Sequence, residues 1–128
     1  MKKLLIAFAI ILLSFYNLVA QPPPLPPNVD YRTVSSGNWA DTTNWEYFDG
    51  NVWVAASEPP SYINAVITIR NGHSISSSDS LAVDQLVIEN GGALFSAETA
   101  LTIIDEAGTD ISCFGTLTLI GQNLFLSG

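Results

Sequence analysis

The strongest constraint on this chain is a short pattern that returns. Ile67-Thr68-Ile69-Arg70-Asn71-Gly72-His73-Ser74-Ile75-Ser76 is echoed by Leu86-Val87-Ile88-Glu89-Asn90-Gly91-Gly92-Ala93-Leu94-Phe95. Each copy is a run of alternating residues, then Asn-Gly, then another apolar step. Leu101-Thr102-Ile103-Ile104 and Leu117-Thr118-Leu119-Ile120 continue the strand part of the pattern at slightly closer spacing. Period-2 alternation is the pattern of a strand with one buried face. Starts at Ile67, Leu86, Leu101 and Leu117 are too closely spaced for a helix pair or a propeller blade, and they suit one coil of a β-solenoid.

The expected fold is therefore all-β, the start of a parallel β-helix or solenoid. Ile67/Ile69, Leu86/Ile88, Leu101/Ile103 and Leu117/Leu119 are expected to stack inward in successive coils. Thr68, Val87, Thr102 and Thr118 then point outward. Asn71-Gly72 and Asn90-Gly91-Gly92 supply corners, where the backbone needs a positive φ that Asn and Gly tolerate. Asn-Gly is also a strong hairpin signal. The alternative fold is thus an antiparallel β-sandwich.

The stretch before the repeat differs. Residues 31–62 hold Tyr31, Trp39, Trp45, Tyr47, Phe48, Trp53 and Tyr62, while 63–128 contain no Trp or Tyr. Large aromatic rings dominate cores, so 31–62 is expected to be an aromatic N-terminal cap over coils spanning 63–128. The final residues, Leu124-Phe125-Leu126-Ser127-Gly128, read as an apolar strand with no polar cap after it. Because solenoid ends need capping, the expectation is the front of a longer reading frame. The alternative is an end covered by a partner.

Residues 1–20 are of another kind. Lys2 and Lys3 precede an unbroken apolar run from Leu4 to Leu13, and the segment ends in Ala20. This order is that of a signal peptide, cut between Ala20 and Gln21. The apolar run is shorter than the ~20 residues a membrane helix needs, so no stable membrane span is expected after its removal. Residues 21–30 are a linker. Five prolines between Gln21 and Asn28 exclude a helix or a central strand and favour a polyproline II spacer. With 1–20 removed, Arg32 and Arg70 stand alone against 12 Asp and Glu. Such an acidic chain is not built to neutralise phosphates, which excludes nucleic acid as a partner. A single Cys excludes an intrachain disulfide framework. The address expected from the leader is secreted or cell-surface.

Ser35-Ser36-Gly37-Asn38-Trp39, then Asp41, then Thr43-Asn44-Trp45, followed by Glu58-Pro59-Pro60 and the strand–Asn-Gly–strand coils, carries a family resemblance. Residues 31–128 resemble the N-terminal region of large surface proteins exported by the type IX secretion pathway of gliding Gram-negative bacteria. There a Gly-Asn-Trp…Trp cap precedes right-handed parallel β-helix repeats. The coils are also similar to the extracellular domain named for its eight conserved glycines. The resemblance implies export, outer-membrane or surface display and contact with the export machinery. It does not imply one activity, because such proteins carry different functional modules.

Among single residues, Trp39, Trp45 and Trp53, with Tyr47 and Tyr62, offer either a platform for stacking sugar rings or the covering of the first coil. His73, the only histidine, sits in an Asn-Gly turn without a suggested catalytic partner. Cys113 lies among apolar residues and is expected to be a buried, inert thiol. Asp105, Glu106 and Asp110 surround Gly108 and are weak Ca²⁺ candidates, since carboxylates on a turn supply hard oxygen ligands. Their spacing matches no established calcium loop. Asp84 with Glu89 or Asp105 gives carboxylate pairs of the kind glycoside cleavage uses.

No catalytic or cofactor-binding residue is assigned. The function expected is non-catalytic: an exported, surface or secreted solenoid segment with an adhesive or structural role, meeting an extracellular glycan or a host or matrix surface. The alternatives are the N-terminal part of a β-helix polysaccharide lyase or hydrolase, or a carbohydrate-binding module using the Trp cluster.

Overall fold

A computed structural model describes residues 27–97, 99–121 and 124–127. The expected signal peptide, its Ala20–Gln21 cut and most of the proline-rich linker lie outside the described residues. The protein is all-β. Its strands are β1 (Tyr31–Thr33), β2 (Gly37–Asn38), β3 (Trp45–Phe48), β4 (Trp53–Ala55), β5 (Val66–Ile69), β6 (Ser74–Ser77), β7 (Leu81–Val83), β8 (Gln85–Ile88), β9 (Ala93–Ala97), β10 (Leu101–Ile104), β11 (Ile111–Cys113), β12 (Thr116–Ile120) and β13 (Leu124–Ser127). One 3₁₀ turn, Thr42–Asn44, precedes β3.

The strands form three sheets, ordered β11-β8-β5-β1-β3-β4, β12-β9-β6-β2 and β13-β10-β7. From β5 onward, three consecutive strands go one to each sheet before the chain returns to the first. Each return pairs parallel with the previous round: Ile67 beside Leu86 and Leu86 beside Ile111, Ile75 beside Leu94 and Leu94 beside Leu117, Leu81 beside Leu101 and Leu101 beside Leu124. The largest sheet is mixed, because β1–β3 and β3–β4 are antiparallel.

This topology corrects the stacking expected from sequence. Ile67/Ile69 and Leu86/Ile88 do lie side by side. Leu101/Ile103 instead stack on Leu81/Val83, and Leu117/Leu119 on Leu94 and Ser96. By Leu101 the chain has turned a corner and entered a different sheet from Leu86. The true return is longer, from Ile67 to Leu86 and from Leu86 to Ile111. Asn71-Gly72 and Asn90-Gly91 are such corners, not hairpins, since β5 and β6 belong to different sheets, as do β8 and β9. Gly72 and Gly91 adopt φ of 82° and 84°. At the same corner one round apart, Gly92 and Gly115 are in close contact, and a Cβ on Gly115 would lie 2.2 Å from the Gly92 carbonyl oxygen.

Alternation sets the core. Ile67, Ile69, Ile75, Val83, Leu86, Ile88, Leu94, Leu101 and Ile103 are fully buried, with Thr68, Val87 and Thr102 half-exposed between them. Each such buried side chain contributes roughly 1.5–3 kcal/mol by leaving water. Tyr31, Trp39 and Trp45 continue this core at the β1 end.

The aromatic segment 31–62 is held by specific bonds. Trp39 and Trp45 meet edge to face with ring centroids 4.9 Å apart. Each indole N–H donates to a carbonyl, Trp39 to Pro60 and Trp45 to Trp39, both at 2.9 Å. Buried Asn44 accepts from the Ser35 hydroxyl and donates to the Asn38 carbonyl. Gly37 has no side chain because Asn44 fills the space: a Cβ there would lie 2.4 Å from Asn44 Nδ2. The spacing Ser35…Gly37-Asn38-Trp39…Asn44-Trp45 is thus one interlocked unit.

Candidate functional site

The aromatic cluster separates into two groups. Trp39 and Trp45 are 4% and 1% exposed. Neither can be a sugar-stacking surface, which corrects that candidate role: both indoles are core, with ring faces and N–H groups already used. Tyr31 is buried too, and its hydroxyl donates to the Glu58 carbonyl at 3.2 Å. Burial, with the nearby Glu58 and Tyr47, pushes its pKa up to about 12.

Trp53 lies on the outer face of β4, half-exposed. The Arg32 guanidinium carbon sits 3.9 Å from its ring centroid, and Phe48 leans on it at 5.4 Å between centroids. Arg32 also forms an ion pair with Glu46. One face of this indole is therefore occupied by a cation, a stabilising arrangement in its own right. Tyr62 is exposed and stands apart from the buried cluster, while Tyr47 packs against the core beside Tyr31.

The acidic candidates are dispersed. Asp105 and Glu106 are exposed and Asp110 half-buried. Among the described residues, no three His, Cys, Asp or Glu come together to hold a metal ion. The Ala107 carbonyl accepts from Gln85 Nε2 and the Asp110 carbonyl from the Leu86 amide, so two turn carbonyls are taken by the neighbouring round. Glu89 accepts the Asn71 amide at 2.9 Å, a corner-fixing role. Asp84 is buried where β7 passes into β8, and its Oδ1 has no partner among the described residues.

His73 is half-exposed, and its Nδ1 lies 2.7 Å from the buried Thr33 hydroxyl. That hydroxyl also accepts the Arg70 amide. The pair ties the corner to β1, a structural role that the turn motif alone did not disclose. Cys113 is exposed, which corrects the expected buried thiol. Its register places it beside the fully buried Ile88. However, β11 is the last strand of its sheet, so no described strand covers the sulfur. Asp41, fully solvated, accepts the Thr43 hydroxyl and amide, which hold its carboxyl below the usual range.

Among the described residues, no helix is long and apolar enough to cross a membrane. Compared with known proteins, the chain matches no family model, no curated protein and no solved structure.

Proposed function

We propose that the chain forms the capped first coils of a parallel β-solenoid in an exported, non-catalytic protein with an adhesive or structural role. One observation carries this reading: strands return to the same three sheets in register, parallel, with aliphatic side chains stacked inside. Such an arrangement grows by repetition and presents continuous outer faces. Those faces bear small polar side chains such as Ser74, Ser76 and Thr116. Asp30, Asp41, Asp49, Asp79, Asp105 and Glu106 are exposed around them. An acidic, hydroxyl-rich surface suits contact with solvent and an extracellular glycan or matrix. The type IX resemblance and the leader-like residues 1–20 support secretion or surface display through the export machinery.

The test is localisation with processing. A tagged chain expressed in a gliding Gram-negative host is expected to be digestible by protease added to intact cells and to begin at Gln21 on N-terminal sequencing. A protein retained in the cytoplasm with Met1 in place would contradict the proposal.

A further inference from the structure

The edge of the largest sheet has a composition that points to a partner. Among the described residues β4 is the outermost strand there and pairs only with β3. The ladder is bracketed by Asp49 N–H donating to the Val52 carbonyl and Ala56 N–H donating to the Trp45 carbonyl. Antiparallel pairs alternate between hydrogen-bonded and non-hydrogen-bonded. Val52, Val54 and Ala56 therefore face β3, while the N–H and C=O groups of Trp53 and Ala55 point to the open edge. Soluble proteins usually blunt such edges by shortness, charge, proline or a bulge, and β4, three residues long, has only the first of these. Residues 50–57, Gly-Asn-Val-Trp-Val-Ala-Ala-Ser, contain no charge and no proline, in a chain of net charge −8.

We propose that this edge is a self-association interface, occupied by β4 of a second copy running antiparallel about a two-fold axis through Val54. Trp53 then pairs with Ala55 of the second copy and the reverse, so the free N–H and C=O groups of both residues are satisfied across the axis. The symmetry is isologous and closed, giving a dimer rather than a filament. Two features select a second copy over an unrelated strand. The acid-free segment lets two acidic chains approach without opposing like charges. The small, exposed Ala55 stands on the same face as Trp53, so each indole lies over a residue that leaves it room. The proposal depends on the β3–β4 hairpin alone, and not on the function proposed above.

Sedimentation of the purified chain over a concentration series tests it, together with hydrogen exchange at single amides. The expected result is a monomer–dimer equilibrium, with the Trp53 and Ala55 amides protected only as the dimer forms. Ala55→Pro removes an edge donor while sparing the bonds to β3. It is expected to weaken the dimer by at least about tenfold, the effect of losing ~1.4 kcal/mol, with the far-ultraviolet β signal unchanged. A wild-type chain that stays monomeric at every concentration overturns the proposal. So does a dimer that leaves those two amides freely exchanging. The exchange measurement uses the unmodified chain, so it decides the matter even if Ala55→Pro does not fold.

Discussion

The two ends of this molecule are held together by different means. In the aromatic segment, Trp39, Trp45 and Asn44 interlock through directed hydrogen bonds, and Gly37 leaves the space that Asn44 fills. In the repeated strands, Leu86, Ile88, Leu94 and Leu101 stack on similar neighbours, and the specificity lies in the backbone ladders and the tight glycine corners. The difference teaches that one short chain can combine a unique interlocked unit with a generic stacked one. Removing an interlocked side chain from the aromatic segment should therefore cost more than a volume-conserving swap in the stacked repeat.

The largest expected effect is in the cap. Trp45→Ala should cost about 3–5 kcal/mol in urea unfolding, because it empties a large buried site and orphans the Trp39 carbonyl. Asn44→Ala follows at about 1–3 kcal/mol, the cost of leaving buried polar partners unsatisfied. Leu86→Ile, in the coils, should cost less than about 1.5 kcal/mol, since volume and polarity are kept. If Leu86→Ile proved as damaging as Asn44→Ala, the contrast between cap and coils would be broken.

Alkaline titration sharpens the same contrast, because tyrosines occur only in the cap among the described residues. The Tyr31 pKa is raised in the folded state, so the native protein holds its proton more tightly than the unfolded chain does. The Tyr31 contribution to stability should be constant below about pH 10, the ordinary tyrosine value, and fall as pH rises towards about 12. Circular dichroism against pH reads this, and Tyr31→Phe should move the alkaline midpoint upward. The smallest effect belongs to the surface pair. Arg32→Ala should cost roughly 0–1 kcal/mol, as is usual for partly exposed ion pairs, while changing the emission of Trp53, whose ring it covers.

Much of the fold was legible in the residues. Alternation in Ile67-Thr68-Ile69 and Leu86-Val87-Ile88 marks the inward positions, and Asn71-Gly72 and Asn90-Gly91 mark corners. Of the stacking, Ile67/Ile69 on Leu86/Ile88 was legible, but the placement of Leu101/Ile103 and Leu117/Leu119 was not. A round passes through three sheets, and the loop from Asp105 to Asp110 lengthens one round, so sequence spacing alone mixes returns to the same sheet with steps to the next. The candidate site was harder to read. Trp39, Trp45 and Trp53 are the same residue type, yet two are core and one is surface. What separates them is the three-dimensional placement of Pro60 and Arg32, which lie far from their partners in the chain. Cys113 misleads similarly: its apolar neighbours in sequence are not what lies over it.

The chain turns at Asn-Gly onto a new sheet and returns parallel. Proton nuclear Overhauser contacts on the labelled chain test this most directly. Parallel-type contacts are expected between Val66–Ile69 and Gln85–Ile88, and between Gln85–Ile88 and Ile111–Cys113. Strong Hα–Hα contacts across Asn71-Gly72, joining Val66–Ile69 to Ser74–Ser77 as a hairpin, would contradict it.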